Sequence, residues 1–220
     1  MLRCEGIWLP ERLKDLLTTC PPSDRSMLRS ICVFAGSNSG TRDEYFDVAR
    51  DLGRELALRD IGLIYGGASV GLMAVVADTV LACGGRVTGV IPEFLVKKEV
   101  AHPGLSDLRV VPSMHARKAQ MAELADGFIA LPGGFGTIEE FFEIVTWAQL
   151  GIHEKPCGLL NVCGYYTGVL EFLDHSAVEG FVKPEHRSMV LVNSRPEPLL
   201  DEFERYRAPR ISKWMDAGRT

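Results

Sequence analysis

From Ser30 onward the apolar positions fall into two alternating rhythms. Short unbroken runs such as "ICVFAG", "IGLIYGG" and "RVTGVIP" end in glycine or proline, the pattern of strands buried on both faces. "LRVVPS", "GFIALPGG", "KPCGLLN" and "MVLVNS" repeat it, which makes seven predicted strands. Between them lie segments with helical spacing. "DEYFDVARDLGRELALRD" places Phe46, Ala49, Leu52, Leu56 and Leu58 broadly on one side, and further helices are predicted over 70–82, through "MHARKAQMAELA", through "IEEFFEIVTWAQLG", near 166–179 and near 196–206. Strands alternating with helices at this interval predict a single-domain α/β fold, a Rossmann-like doubly wound parallel sheet, over residues 30–208. Residues 1–29 read as an N-terminal extension, in which "PERLKDLLTTC" spaces Leu13, Leu16 and Leu17 as a short amphipathic helix stopped by "CPPSD". Residues 209–220 read as a C-terminal tail.

In an open parallel sheet, ligands bind beyond the carboxyl ends of the strands, where helix N-termini gather. Three glycine-rich or polar segments fall on that edge: "GSNSG" (36–40), "GGASVGLM" (66–73) and "PGGFGT" (132–137). Each links a strand to a helix, so each offers backbone N–H groups at the positive end of a helix dipole, and three together point to a phosphate-bearing ligand. The dinucleotide fingerprint fits poorly. "GGASVG" follows the second strand rather than the first, and the next strand ends in Ile91 and Pro92 without the acid that would bind ribose. No G-x-x-x-x-G-K-[ST] string occurs, so the P-loop reading fails as well.

Composition narrows the partners. Of 220 residues 46% are hydrophobic, enough for a full core. The formal net charge of -5 argues against a broad basic face for nucleic acid, while leaving room for a small anion in a local pocket. Six cysteines, at 4, 20, 32, 83, 157 and 163, form no C-x-x-C pair and have no histidines spaced as co-ligands, so no metal site is expected. Cys32 and Cys157 sit in strand runs, as buried thiols of a reducing compartment do. No secretory h-region opens the chain and no run is long and apolar enough to span a membrane, which together lead us to expect a cytoplasmic protein.

Two segments carry candidate chemistry. In "LPGGFGTIEEFFE" (131–143), Thr137 and Glu140 have the spacing of a capping box, with Thr at the N-cap and Glu reaching back to its amide. Glu139 and Glu143 would then be a solvated face, with Phe141, Ile144, Val145 and Ala148 turned to the core. The alternative is chemical. With a nucleotide phosphate on the Gly133–Thr137 turn, a glutamate one turn on lies near the attached sugar, where a carboxylate can activate water and stabilise a developing oxocarbenium ion. In "SMHARKAQM" (113–121), Arg117 and Lys118 stand early in a helix, where cations oppose the dipole. They are either ordinary surface charges or a planar fork and a point charge for an anionic ligand. Glu99, in "FLVKKEVAH", sits on the same edge and reads first as part of a solvated loop.

"PGGFGTIEE" matches a P-G-G-x-G-T-x-x-E motif and "MHARK" an M-H-x-R-K motif, and through them the chain resembles the LONELY GUY family. Members of that family are cytokinin riboside 5'-monophosphate phosphoribohydrolases, long mislabelled as lysine decarboxylases. The resemblance runs from about Ile31 to about Leu200 and includes "YGGASVGLM", "GVIP" and "TWAQLGIHEKPCGLLNVCGYY". It implies hydrolysis of the N-glycosidic bond of a nucleoside 5'-monophosphate to free adenine-type base and ribose 5-phosphate, with no metal or organic cofactor. Carried over by position, Arg117 and Glu140 become the catalytic pair. Gly133, Gly134, Phe135, Gly136, Thr137, Ile138 and Glu139 become the phosphate and ribose turn, and Glu99, Lys118 and Thr146 become further contacts. The resemblance also implies a homodimer. Ala68 and Ala74 stand where the family commonly has glycine. A reading from another class, a non-catalytic nucleotide or molybdenum-cofactor carrier on the same scaffold, would keep the anion-binding turns and need no Glu140. A decarboxylase would need pyridoxal phosphate on a lysine, and no lysine here has a convincing Schiff-base setting.

Overall fold

The computed structural model describes residues 28–96, 101–105 and 107–209. The seven predicted strands are all present: β1 Ser30–Phe34, β2 Gly62–Tyr65, β3 Val87–Pro92, β4 Asp107–Val111, β5 Gly127–Ala130, β6 Cys157–Leu160 and β7 Val190–Asn193. They form one sheet in the order β4-β3-β2-β1-β5-β6-β7, and every pairing is parallel. The helices are α1 Asp43–Leu58, α2 Gly71–Ala82, α3 Glu93–Val96, α4 Met114–Leu124, α5 Phe135–Gln149, α6 Thr167–Val178, α7 Pro184–Arg187 and α8 Pro196–Arg205.

The period-two alternation of the strands divides the interior into two cores. In β1, Ile31 and Val33 point into a cluster with Leu52, Leu56, Leu72, Val76 and Leu199, from α1, α2 and α8. Cys32 and Phe34 point the other way, among Met121, Phe128, Phe141 and Ile144, which come from α4, β5 and α5. Strands β1, β2, β3, β5 and β6 therefore carry buried apolar residues on both faces, which is why the sequence shows continuous apolar runs there, whereas the edge strand β4 keeps Asp107 and Arg109 half-buried. Leu28 packs against the first of these cores, and the amides of Arg29 and Ser30 donate to Asp126 at 2.8 and 3.0 Å.

Topology sets the ligand edge. From β1 the chain builds outward through β2, β3 and β4, then returns to the other side of β1 to lay down β5, β6 and β7. Strand order thus reverses between β1 and β5, and the loops leaving these two strands run to helices on opposite faces. A crevice opens between them, the place where doubly wound sheets hold ligands.

Some expectations need correction. Leu58, predicted with the buried stripe of α1, is 79% exposed, because it lies two residues past Leu56 and so almost on the opposite side of the helix. The four-residue helices α3 and α7 and the 3-10 turn Val162–Gly164 are too short to carry a period and were not foreseen. The amphipathic helix expected in the extension, Glu99 and the tail beyond Pro209 lie outside the described residues. No helix among the described residues is long and apolar enough to cross a membrane.

Cys32 and Cys157 are buried, and burial pushes both thiols well above the usual range, whereas Cys83 and Cys163 are exposed. Iodoacetamide at pH 8 should therefore label Cys83 and Cys163 in the native protein and reach Cys32 and Cys157 only after unfolding. Peptide mapping by mass spectrometry reads this directly, and rapid native labelling of Cys32 would contradict the packing of β1.

Candidate active site

The site starts from a helix that nothing caps. Gly134 is the N-cap of α5, and it has no side chain with which to accept from the first turn. The capping box expected from the Thr137 and Glu140 spacing is absent. Thr137 lies three residues beyond the cap, inside the helix and 4% exposed, and Glu140 turns toward a different partner. The carbonyl groups of the turn are all engaged. Those of Leu131 and Gly133 accept the hydroxyls of Tyr166 and Tyr165, each at 2.6 Å. That of Pro132 accepts the amide of Gly36 at 3.1 Å, and that of Gly134 accepts the amide of Ile138 at 3.2 Å. None of the amides from Gly133 to Thr137 has an acceptor among the described residues, so this turn presents N–H groups and a helix dipole of one sign. A cleft of about 210 Å³ lies against it, lined by Gly36–Gly40, Tyr45, Leu72, Pro132, Gly133, Gly134 and Tyr165. Gly133 has to be glycine, because a Cβ there would stand 2.9 Å from the Gly36 nitrogen and overlap the Thr137 side chain.

Helix α4 supplies the cations. Ser113 caps it, its hydroxyl accepting the Ala116 amide at 3.1 Å, and one turn later Arg117 and Lys118 face α5. Both are buried, at 7% and 8% exposure, so the surface-charge reading of these residues does not hold. The Arg117 guanidinium packs over Gly66 so closely that a Cβ there would collide with Nη2. Its Nη2 lies 3.9 Å from Glu140 Oε1, and its Nε is buried without an acceptor. At that separation the two attract by charge without a hydrogen bond. Arg117 is thus a buried fork with an unused Nε donor, an exception to the rule that buried polar groups are satisfied and one that calls for a reason.

Glu140 is itself only 13% exposed at the side chain. Burial lifts its carboxyl above the ordinary range, Arg117 works in the opposite direction, and Glu139 adds to the rise. Lys118 differs. Burial alone would lower its ammonium, but Glu139 at 2.6 Å and Glu143 at 3.0 Å outweigh that and hold it above its ordinary value. Glu139 and Glu143 are therefore partners of Lys118 rather than an idle solvated face.

The remaining predicted residues fall in different places. Phe135, at the first position of α5, is 96% exposed. Gly134 and Gly136 have open space where a Cβ would stand. Ile138 packs on the core and its amide is already spent on Gly134, so the free N–H groups end at Thr137. Thr146 is exposed, its hydroxyl donating back to the Phe142 carbonyl at 2.7 Å. Ala68, at a position where glycine is expected, is fully buried and bridges to Ala101, so its methyl meets protein. Sequence reasoning missed Tyr45, Tyr165 and Tyr166. The only signal was the "GYY" pair after β6, since a tyrosine that bonds backbone has no fixed spacing from its acceptor.

Fold and site together define the class: a Rossmann-type α/β protein with a turn of free N–H groups at its switch point and a buried carboxylate–guanidinium pair on the same edge. A family model described as "Possible lysine decarboxylase" matches residues 73–203. A probable cytokinin riboside 5'-monophosphate phosphoribohydrolase of Oryza sativa subsp. japonica is 48% identical over 189 residues, covering 86% of this chain and 75% of the relative. A cytokinin riboside 5'-monophosphate phosphoribohydrolase of Arabidopsis thaliana is 48% identical over 182 residues, covering 83% and 85%. The chain belongs to this family, the LONELY GUY proteins that its two motifs resemble. Among solved structures, the molybdenum cofactor carrier protein of Chlamydomonas reinhardtii superposes with a TM-score of 0.61 at 19% identity, covering 81% of this chain and 97% of that one. At that identity the likeness is one of fold.

The upward shift of Glu140 makes a stability prediction. Because the fold favours its protonated form, the ionised carboxylate is a burden that appears as pH rises through the raised pKa. Glu140→Gln should therefore melt at a higher temperature than the parent at pH 8. That advantage should vanish below about pH 4, where the carboxyl is protonated in both folded and unfolded chains. Calorimetric scans across this range check it, and a less stable variant at pH 8 would mean that the attraction to Arg117 outweighs burial.

Proposed function

We propose that this chain hydrolyses the N-glycosidic bond of cytokinin riboside 5'-monophosphates, and of AMP as a related substrate, releasing adenine-type base and ribose 5-phosphate. The observation that carries the reading is the buried Arg117–Glu140 pair beside an uncapped helix start whose neighbouring carbonyls are all engaged. The 48% identity to proteins named for that activity supports it.

In this mechanism the 5'-phosphate rests on the N–H groups of Gly133 to Thr137 at the positive end of α5. The ribose then lies toward Glu140, one turn into the helix. As the bond between sugar and base lengthens, positive charge grows on the anomeric carbon, and a desolvated carboxylate opposes it more strongly than one in water. Glu140 also orients the attacking water and takes its proton as the water oxygen bonds to the anomeric carbon, which its raised pKa favours. The base leaves with the glycosidic electron pair and takes up a proton from solvent. Arg117 opposes the protonation of Glu140 and sets its positive charge beside the ligand. Lys118, clamped by Glu139 and Glu143, holds these acids in register beside the ribose.

The older decarboxylase description does not fit these residues. A lysine that forms a Schiff base with pyridoxal phosphate needs a lowered pKa, and two glutamates hold Lys118 above its ordinary value. The carrier reading rests on proteins that share fold alone, and a carrier has no use for a buried carboxyl set against a guanidinium.

Purified protein incubated with N6-isopentenyladenosine 5'-monophosphate or AMP should release free base, and the unphosphorylated riboside should be left intact. Glu140→Gln and Arg117→Ala should each slow release by about 100-fold or more while keeping the fold. The acid limb of the rate profile should lie above the usual carboxylate range and move higher in Arg117→Lys if the lysine ammonium sits farther from Glu140. Full turnover in both Glu140→Gln and Arg117→Ala would remove the assignment of roles.

The homodimer belongs to the same proposal. Helix α6 buries no residue, and Phe172 on it and Phe181 just beyond stand 63% and 86% exposed, an apolar surface suited to a second copy. Sedimentation equilibrium should give twice the chain mass, and Phe172→Glu should shift the population toward monomer.

A further inference from the structure

We propose that the consecutive tyrosines Tyr165 and Tyr166 are positioning residues of the phosphate turn, holding its carbonyls outward so that only N–H groups meet the ligand. This rests on the reading of that turn as the phosphate site. The two hydroxyls donate to the carbonyls on either side of Pro132, Tyr166 to Leu131 and Tyr165 to Gly133, each at 2.6 Å.

The need for them follows from the turn's composition. A peptide unit is rigid and trans, so its C=O and N–H point in opposite directions. Fixing the Gly133 carbonyl on Tyr165 therefore also fixes the Gly134 amide on the other side. Between two glycines no side chain resists a flip of this unit, and a flip would aim an oxygen at an anion. The Gly133–Gly134 peptide has no other hydrogen bond at its carbonyl among the described residues. Tyr165 is thus what selects the orientation that binds negative charge.

The segment that carries the tyrosines is built for a fixed placement. Asn161 closes it, its Oδ1 accepting the Tyr166 amide at 2.7 Å and its Nδ2 donating to Thr167 Oγ1 at 3.3 Å. Cys163 and Gly164 follow in succession with φ of 51° and 74°, a left-handed bend that a cysteine rarely adopts. The bend turns the chain so that Tyr166 enters the core at 1% exposure while Tyr165 stays at the cleft. The two rings meet edge to face at 5.0 Å, and Tyr165 meets Tyr45 likewise at 5.8 Å, so ring packing sets where each hydroxyl ends.

Tyr165→Phe keeps the ring and its packing and removes only the donor. Calorimetric titration with ribose 5-phosphate should show affinity reduced roughly five- to tenfold, the range expected for one lost hydrogen bond that orients a binding group. KM for the nucleoside monophosphate should rise by the same factor with kcat held within about twofold, because the turn binds ground and transition states alike. Affinity for free adenine and the melting temperature should stay as in the parent. Unchanged affinity for ribose 5-phosphate in Tyr165→Phe overturns the proposal, as does an equal loss for ribose 5-phosphate and adenine, which would mark a general structural role. A parent chain that binds no ribose 5-phosphate overturns it too. A chain that turns over no nucleotide yet binds ribose 5-phosphate, and loses that affinity in Tyr165→Phe, upholds the positioning role and rejects the hydrolase reading.

Discussion

A carboxylate held out of water beside a guanidinium that does not fully satisfy it is the constraint around which the rest of this molecule is arranged. Glu140 and Arg117 face each other at 3.9 Å, too far for a hydrogen bond and both largely buried. Such a pair is costly, since desolvating two charges takes back most of what their attraction returns. Neighbouring features follow from housing it. Gly66 leaves the space that the guanidinium occupies, and Cys32 in β1 lies near enough below that the charge of Glu140 adds to the rise of its thiol. The core on one face of the sheet holds the pair between rigid elements, α4 and α5.

The two halves of the site use opposite means. At the start of α5 negative charge is invited by backbone alone, through amides and a dipole with no cation in the cleft lining. One turn further on, the protein has placed its own negative charge, and the cations Arg117 and Lys118 are committed to carboxylates. A ligand with phosphate at one end and an incipient cation next to it matches that gradient, which is the charge pattern of a nucleoside monophosphate whose glycosidic bond is breaking. The same division explains why an acidic chain can bind an anion: the attraction is local and built from oriented peptides.

The price of this arrangement falls on stability at the site and is met elsewhere. The left-handed bend at Cys163, the uncapped helix start and the burial of the Glu140 carboxyl are each unfavourable locally. The sheet interior offsets them, with every strand from β1 to β3 and β5 to β6 carrying residues at or near zero exposure on both faces. Function here draws on surplus stability from packing.

The strands were legible because burial on both faces leaves a continuous apolar run, and the long helices because their stripes repeat several times. The glycine-rich edge was legible too, since turns into helices in a doubly wound sheet all point one way. What one sequence could not decide was which of two uses each polar residue served. Thr137 and Glu140 have capping-box spacing, yet Gly134 starts the helix and frees Glu140 for Arg117, twenty-three residues upstream. Arg117 and Lys118 look like surface charges until α4 is laid against α5. Tyr165 and Tyr166 carry no motif of their own, because a hydroxyl that reaches a carbonyl more than thirty residues away obeys no local period. Local periodicity and turn chemistry are written along the chain, so sequence alone determined the strands, the long helices and the glycine-rich edge. Partnership between distant side chains exists only once the sheet brings them together, so the tertiary structure alone decided which charges meet and which backbone groups stay free.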